Sequence, residues 1–367
     1  MKFLVSNEVL ASQSLHFPCG VEMTNRFMLA PMTNHQSHPD GCLSDDEYHW
    51  LTMRAKGGFG LTMTCAAHVQ EIGQGFPGQL GIFSDRHLEG HTRLAAGIRN
   101  ETSLAVIQLH HAGARSPKIL IGTAPVCPSD FEDTGARGLS LTEVHQLRED
   151  FMTAAVRAQK AGYDGVEIHG AHGYILCQFL SPMYNRRQDD YGGPLANRAR
   201  LVFEILDGVR QRCGPSFLLG LRLSPEHHGI DLLECMDLCQ QIIDSGLVDF
   251  LDVSLWDVFK MPELAAYQDK SLLDHVLSLN RHAVKLTVAG KISTAAQVKQ
   301  VLEAGIDFVA IGRAGILHHD YPKQVLANSD FKPVATPVSR AHLAKEGLGP
   351  AFIDYMTRWK GFVAADS

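Results

Sequence analysis

The sequence lacks the marks of several large protein classes. Its eight cysteines form no CxxC pair, so neither a zinc ribbon nor an iron–sulfur cluster is predicted. No apolar run approaches the roughly 18 residues of a membrane span. The run before Ser6 has only three apolar residues and is too short for a signal peptide. Unpaired thiols suit a reducing compartment, so we expect a soluble cytoplasmic protein without membrane contact.

The charge balance lacks a basic excess. The 33 Lys and Arg residues are outnumbered by 40 Asp and Glu residues, for a net charge of −7. No basic stripe is evident, so binding to nucleic acid is not predicted. Hydrophobic residues make up 45% of the 367 positions, which is ample for a large core.

Three segments repeat one pattern. AGYDGVEIHG (161–170), SGLVDFLDVS (245–254) and AGIDFVAIGR (304–313) each pass from a helix-ending Gly through Asp into a short apolar strand. Such a Gly suits the left-handed end of a helix, and a continuous apolar run suits a parallel strand buried on both faces. We predict eight strands separated by helical segments, near residues 26–32, 60–67, 104–110, 164–169, 217–223, 249–254, 285–290 and 307–312.

Eight strand–helix units predict the α/β class and a (β/α)8 TIM barrel. An open doubly wound sheet is the alternative, but no G-x-G-x-x-G follows the first strand. No linker divides the chain, so we expect one domain: the barrel in residues 1–330 and a C-terminal extension in 331–367. Aromatic residues in the extension suggest that it packs on the barrel or on a partner subunit, which leaves a homo-oligomer open: Phe352, Tyr355, Trp359 and Phe362.

The chemistry is concentrated in HGAHGYILCQFLSPMYNRRQDDYGG (169–193). A predicted strand ends in His169, and His172 and Tyr174 follow, at the end of a strand where such barrels hold their active sites. A phenol with a pKa of about 10 keeps its proton at pH 7. Two imidazole N–H groups are able to clamp one oxygen atom. We therefore predict that a carbonyl group is polarised here while a proton is delivered nearby.

Other interpretations of these residues were weighed. The two histidines are candidate metal ligands, but Glu167 is expected on the opposite face of its strand, so no metal site is predicted. Arg222 is either a structural ion pair or a residue of the barrel mouth, and the cost of burying a guanidinium favours the mouth. His227, His228, His318 and His319, among others, are expected to be exposed loop residues.

The ends of the last two strands predict a phosphate site. Barrels of this kind often bind phosphate there. Gly290 and Gly312 permit close approach of the backbone, and Arg313 supplies a bidentate partner. A phosphorylated cofactor that spans the mouth is therefore predicted.

These residues resemble the old yellow enzyme family of FMN-dependent ene reductases, which includes NADH:flavin oxidoreductases. The resemblance is carried by H-G-A-H-G-Y-I-L-C-Q-F-L-S-P and the following N-R-R-x-D-D-Y-G-G-P-x-x-N-R, with N-R-F-M-L-A-P-M-T at 25–33 and A-I-G-R at 310–313 in matching order. It implies FMN at the barrel mouth. It further implies reduction by NADPH or NADH and reoxidation by an α,β-unsaturated carbonyl compound.

The resemblance also implies roles for single residues. Those next to the flavin ring would be Ala30, Pro31, Met32, Thr33 and Ala66, with Gln108 bonded to the pyrimidine, Arg222 near N1 and O2, and Gly290, Gly312 and Arg313 at the phosphate. His169 and His172 would bind the substrate carbonyl, and Tyr174 would protonate the α-carbon.

Some positions depart from the family pattern. Thr33 stands where many members have Cys, and this position would tune the redox potential of the flavin. His35 stands where a substrate-contacting Tyr is found in similar members, so substrate specificity is expected to differ. Arg115 is displaced by one from the usual H-A-G-R, and neither it nor Arg358 is assigned a role. The alternative functions are oxidative N-demethylation, a flavin-binding protein without alkene turnover and, more remotely, a metal-dependent lyase.

Overall fold

Eight parallel strands close into a barrel in the computed structural model, which describes residues 9–365. Each strand pairs with the next in chain order, and the last pairs with the first. The strands are β1 (Phe27–Leu29), β2 (Leu61–His68), β3 (Leu104–His110), β4 (Gly165–Gly170), β5 (Leu218–Leu223), β6 (Phe250–Ser254), β7 (Lys285–Ala289) and β8 (Phe308–Ile311). The (β/α)8 prediction is confirmed.

Helices surround the barrel and follow its strands. They are α1 (Asp45–Lys56), α2 (Leu88–Arg99), α3 (Lys118–Ile121), α4 (Leu141–Lys160), α5 (Ile175–Leu180), α6 (Leu195–Cys213), α7 (Leu232–Ser245), α8 (Leu272–Leu277), α9 (Ala295–Glu303), α10 (Arg313–Leu317), α11 (Tyr321–Ala327), α12 (Arg340–Lys345) and α13 (Pro350–Thr357). Among the described residues, no helix is both long and apolar enough to cross a membrane.

Local signals in the sequence explain where helices begin. Ser140 caps α4 in a reciprocal capping box with Glu143, which satisfies backbone N–H groups that have no partner within the helix. Asp231 caps α7 through the N–H groups of Leu233 and Glu234. Both helices then bury one apolar face against the barrel strands.

The N-terminal end of the barrel is closed by a hairpin of two short strands, Leu15–His16 and Glu22–Met23. Phe17 in this hairpin packs against Phe250 and Phe308, with ring centroids 5.9 and 5.7 Å away. Because Phe250 and Phe308 begin their strands, this end is filled by aromatic side chains. The open end is therefore the C-terminal one.

Strand register sets polar side chains side by side within the barrel. Arg222 on β5 is level with His169 on β4 and with Asp252 on β6. Gln108 on β3 is level with Glu167 on β4. Glu167 was expected on the face opposite His169, and that expectation is wrong. Residues two apart on a strand share a face, so both side chains point inward.

Residues 331–365 pack against the barrel. Phe352 on α13 contacts Trp50 on α1, with ring centroids 5.3 Å apart. Tyr355 stacks on His35 in the loop after β1, at 4.5 Å. The backbone N–H of Gly349 donates to the side chain of Gln36, 2.8 Å away. This segment therefore covers the side of the barrel mouth that follows β1.

Candidate active site

A cavity of about 990 Å³ opens at the C-terminal ends of the strands. This is at the upper end of the roughly 300–1,000 Å³ that is typical of small-molecule sites. The predicted site residues among its lining are Ala30, Pro31, Met32, Thr33, His172, Tyr174, Arg222, Gly290, Gly312 and Arg313. The cavity thus brings together side chains from β1, β4, β5, β7 and β8.

His169 and His172 form one hydrogen-bonded chain. His169 Nδ1 accepts the backbone N–H of Ala171 at 3.2 Å, so its proton is on Nε2 in the neutral ring. That N–H donates to His172 Nδ1, 3.2 Å away. The proton of His172 is then on Nε2, which donates to Ser254 Oγ at 2.8 Å. His172 therefore faces the cavity, whereas His169 lies directly behind it and is 4% exposed.

Both imidazoles are held in the neutral form. Burial lowers the pKa of His169 well below its usual value, and neighbouring His172 and Arg222 lower it further. Burial also lowers the pKa of His172, again with a contribution from Arg222. Each ring therefore presents one neutral N–H donor rather than a charged imidazolium.

Tyr174 is surrounded by two imidazole rings and one guanidinium group. Its ring centroid is 4.3 Å from that of His110 and 5.1 Å from that of His169. The Arg115 guanidinium lies over the phenol face, with Cζ 4.7 Å from the ring centroid. Burial raises the pKa of the Tyr174 phenol, and the charge of Arg115 opposes that rise. The phenol thus keeps its proton at neutral pH.

Arg222 lines the cavity and is also part of a buried ion pair. Its Nε lies 3.0 Å from Asp252 Oδ2. Gln108 Nε2 donates to Glu167 Oε1 at 2.7 Å in the same interior layer. Burial and the charge of Asp252 raise the pKa of Glu167, so two carboxyl groups share the barrel interior with one guanidinium. Arg222 is therefore both a member of a structural ion pair and a residue of the barrel mouth, the two interpretations made from the sequence.

Two of the predicted cofactor residues are set back from the cavity. Ala66 and Gln108 are level with each other on β2 and β3 and are not part of the lining. The carbonyl of Ala66 accepts from Gln79 Nε2 at 2.7 Å, and Gln108 donates to Glu167 as described. Their polar groups are thus engaged within the protein.

The end of the cavity at β7 and β8 fits a phosphorylated cofactor. Gly290 has φ of +154°, and a Cβ there would lie 2.8 Å from the backbone N of Asp257, so only glycine is accommodated. A Cβ on Gly312 would meet only Met32 Sδ, at 3.6 Å, which leaves its backbone open to the cavity. Arg313 is exposed there, and no described residue pairs with it. Its free guanidinium and the glycine backbone are suited to a phosphate.

His35 lies outside the cavity lining. Its ring stacks between Phe76 and Tyr355, with centroids 5.2 and 4.5 Å away. Burial and the charge of Arg358 lower the pKa of His35. Arg358 itself is exposed and does not line the cavity. His35 thus packs the C-terminal extension against the barrel mouth.

Sequence reasoning missed several residues of the site. His228 was expected to be an exposed loop residue, but it is half-buried and lines the cavity. Arg115 was left unassigned, and it contacts Tyr174 as described. Ser254 ends β6, and its Oγ accepts the hydrogen bond from His172 Nε2. Each follows the C-terminal end of a strand, and that position was the signal available in the sequence.

The two histidines hydrogen-bond to each other through His169 Nε2 and His172 Nδ1, and they belong to no group of three or more candidate metal ligands in the described part of the chain. Elsewhere in residues 9–365, Glu226, His227 and Glu263 bring their ligand atoms within 4.8 Å of one another. The Lys260 ammonium lies 3.0 Å from Glu226 and 3.3 Å from Glu263. A cation from the chain thus already occupies this cluster.

Comparison with known proteins places the chain among flavin oxidoreductases. Residues 18–330 match the NADH:flavin oxidoreductase / NADH oxidase family. A probable NADH-dependent flavin oxidoreductase of Bacillus subtilis, YqiG, is 37% identical over 308 residues, which cover 81% of this chain and 82% of that protein. An NADPH dehydrogenase of Listeria innocua is 33% identical over 327 residues, covering 86% and 94% of the two chains.

Solved structures agree with this match. The old yellow enzyme homologue from Zymomonas mobilis superimposes with a TM-score of 0.78 at 25% identity, over 94% of this chain and 99% of that one. The similarity extends beyond residues 18–330, because 94% of the chain is covered. The resemblance inferred from the sequence is confirmed.

Proposed function

The chain belongs to the NADH:flavin oxidoreductase / NADH oxidase family, and on that premise we propose that it reduces the C=C bond of α,β-unsaturated carbonyl compounds. It is an FMN-dependent NAD(P)H oxidoreductase, with NADH or NADPH as the reductant. The family leaves the oxidising substrate open. The residues that face the cavity favour an activated alkene as the oxidising substrate.

One observation carries the proposal: His172 and Tyr174 face the same cavity, with the His169 ring behind them. A neutral imidazole N–H polarises a carbonyl oxygen without transferring a proton to it. A phenol that keeps its proton at neutral pH is suited to deliver it to carbon. A carbonyl acceptor conjugated to an alkene uses both groups in one turnover.

The cofactor would be held by residues at the opposite side of the mouth. Arg313, Gly290 and Gly312 would bind the FMN phosphate, and Met32 and Thr33 would lie along the ring. FMN, when bound and reduced, supplies the hydride that the β-carbon of the alkene receives. Arg222 lines the cavity, and its buried Nε lies 3.0 Å from Asp252 Oδ2. The guanidinium charge would therefore act on a polar edge of the ring from within the cavity wall.

The chain's own residues complete the reduction. The carbonyl oxygen would displace Ser254 from His172 Nε2, and the His169 N–H would turn from His172 to the same oxygen. Both N–H groups then stabilise the negative charge that develops on that oxygen. Tyr174 delivers its proton to the α-carbon, and the Arg115 charge over its ring stabilises the phenolate that remains.

We also propose that residues 331–367 belong to the catalytic domain rather than to a separate unit. Trp359 and Phe362 line the cavity, and their rings are 5.7 Å apart. A site that needs both segments for its walls favours one folding unit.

The test is an anaerobic visible spectrum of the purified protein reconstituted with FMN. NADPH or NADH is added first and cyclohexenone second. We expect the flavin band to bleach with the nucleotide and to return with the enone. Bleaching without return would refute alkene reduction, and formaldehyde release from an N-methyl compound would then favour demethylation. The matched control uses cyclohexanone, which has the carbonyl but no alkene and must leave the flavin reduced.

A further inference from the structure

We propose that the substrate end of the cavity contains a subsite for a carboxylate, formed by Arg115 and His228. The preferred substrates would then be unsaturated carbonyl compounds that carry a second, anionic group. We call these two residues the carboxylate subsite. The substrate class rests on the proposed function, whereas anion binding at the subsite is tested separately below.

The first argument is the charge of the cavity wall. The described residues that line the cavity include no Asp and no Glu, but they include Arg115, Arg222, Lys291 and Arg313. Arg222 is paired with Asp252 at 3.0 Å, and Lys291 with Asp257 at 3.0 Å. Arg313 lies at the phosphate end. Arg115 therefore lies at the substrate end, and no carboxylate among the described residues balances its charge.

The second argument is how Arg115 is held. Its Nη1 donates to the backbone carbonyl of His172, and its guanidinium lies on the face of the Tyr174 ring. These contacts use one N–H and one face of the group. A guanidinium has five N–H donors in a planar fork that matches a carboxylate. The remaining donors are fixed beside the two residues that would act on the alkene.

His228 supplies a second donor next to Arg115. A Cβ on Gly173 would lie 2.6 Å from His228 Nδ1, so the absence of a side chain at Gly173 lets this ring approach the turn between His172 and Tyr174. The ring is half-buried and lines the cavity. Burial, with a smaller effect of Arg115, lowers the pKa of His228. It thus offers a neutral N–H beside a permanent positive charge.

An anionic group at this place has two sources, the substrate or the phosphates of the nicotinamide nucleotide. The position favours the substrate. The carboxylate subsite adjoins Tyr174 and His172, which are the groups proposed to contact the alkene and its carbonyl. A charged group attached a few bonds from the alkene is therefore within reach of Arg115.

The experiment compares acetylacrylate (CH3COCH=CHCOO⁻) with its methyl ester, a pair that differs in charge at one end. In the wild-type holoenzyme we expect a lower KM for the acid. Arg115→Gln should raise the KM of the acid about tenfold or more, because charged hydrogen bonds of this kind contribute that much. The KM of the ester should change by less than about twofold. Arg115→Lys should restore part of the difference, and Lys299→Gln, which removes an exposed charge on α9, should change neither.

Binding without turnover separates this inference from the proposed function. Levulinate and methyl levulinate have no alkene, and calorimetric titration of the oxidised holoenzyme measures their affinities directly. We expect levulinate to bind more tightly and to lose that advantage in Arg115→Gln. His228→Phe should reduce the advantage while retaining the bulk of the ring. A protein that binds levulinate in this way but reduces no alkene would keep the subsite and refute only the proposed function.

Three results would overturn the carboxylate subsite. An equal rise in the KM of acid and ester in Arg115→Gln would mean that Arg115 only supports the turn that carries His172, whereas a fall in kcat for both is expected because Arg115 also lies over the Tyr174 ring. An effect confined to flavin reduction by NADPH or NADH, in stopped-flow traces, would assign the anion to the nucleotide. Unchanged levulinate affinity in Arg115→Gln would remove the subsite altogether.

Discussion

The guanidinium of Arg222 is paired with the carboxylate of Asp252 inside the barrel, 3.0 Å away. Asp252 has no exposed surface. Its two oxygens have no hydrogen-bond partner among the described residues, so the contact is an ion pair without hydrogen-bond alignment. The positive charge that was expected to stabilise the reduced flavin is therefore already balanced in the protein. Glu167 provides a second carboxyl group, and burial and the charge of Asp252 raise its pKa to about 8.

Removing both carboxyl groups should raise the reduction potential of the bound flavin. Asp252→Asn alone is expected to shift the potential little, because Glu167 then loses its charged neighbour and ionises beside Arg222. The double variant Asp252→Asn/Glu167→Gln leaves the guanidinium unbalanced. We expect a rise of about 30 mV or more, which is about 1.4 kcal/mol for a two-electron couple. Spectroelectrochemical titration of each holoenzyme measures it.

Arg222→Gln in the double-variant background is the control for this prediction. It removes the unbalanced charge and should return the potential towards the wild-type value. Equal potentials in the single and double variants would show that Glu167 does not compensate for Asp252.

Tyr174→Phe should separate the two halves of the catalytic cycle. The ring is retained, so flavin binding and reduction by the nucleotide should remain within about twofold of wild type, whereas loss of a general acid slows a step by roughly 10²- to 10⁴-fold. Stopped-flow traces of flavin reduction and of reoxidation by cyclohexenone measure the two steps. Tyr184→Phe is a matched control, since Tyr184 packs on Phe131 and does not line the cavity. Wild-type reoxidation in Tyr174→Phe would remove Tyr174 from the proton-transfer role.

Arg313→Met should weaken FMN binding, and its effect on turnover at saturating FMN should be smaller. The variant loses a charged hydrogen bond to the phosphate, which typically contributes about 1.5–3 kcal/mol, equivalent to roughly a 10- to 150-fold rise in Kd. Fluorescence titration of the apoprotein with FMN and with riboflavin gives the measurement. Riboflavin has no phosphate, so its Kd should hardly change. A parallel loss for both flavins would point to a disturbed fold instead, and Lys299→Met should leave both unchanged.

The protein should lose stability as the pH falls below about 6.5, because buried histidines must take up protons on unfolding. Burial lowers the pKa of His68 to about 4, of His91 to about 4 and of His111 to about 3. A histidine with a lowered pKa in the folded state contributes stability above its unfolded pKa. That contribution is lost as the pH falls from 6.5 towards the folded pKa. The slope is up to roughly 1.4 kcal/mol per pH unit for each such histidine.

Denaturant unfolding at saturating FMN between pH 7 and pH 5 tests this dependence. His91→Gln should reduce the pH dependence of the free energy of unfolding by the contribution of one histidine. This holds whether or not the substitution changes the free energy of unfolding at pH 7. His38→Gln, at an exposed loop position, should leave the slope unchanged. An unaltered slope in His91→Gln would mean that this ring does not stay neutral in the folded protein.

Much of the barrel was readable from the sequence because its signals are local. A strand buried on both faces is a continuous apolar run, and the predicted strand at 164–169 is observed as Gly165–Gly170. The helix ends were similarly marked, as by Ser140 before α4. The trio of His169, His172 and Tyr174 lies within six positions, so its proximity required no knowledge of the fold.

Other parts depended on side chains that are distant in sequence. The orientation of Glu167 was misjudged although strand alternation was sufficient to predict it, because residues 167 and 169 share a face. The Arg222–Asp252 pair and the shielding of Ala66 and Gln108 follow from the register of neighbouring strands. No pattern along the chain specifies that register, because barrel closure sets it.

The sequence by itself determined that eight buried strands alternate with helices and that one of them ends in two histidines and a tyrosine. The tertiary structure decided which of these groups face the cavity, which proton each imidazole carries and which cations lie beside them. Arg115 follows β3, His172 and Tyr174 follow β4, and His228 follows β5. They meet because barrel closure brings the loops of successive parallel strands to one end. The interactions among these loops depend on distances in space, and their separation along the sequence does not specify those distances.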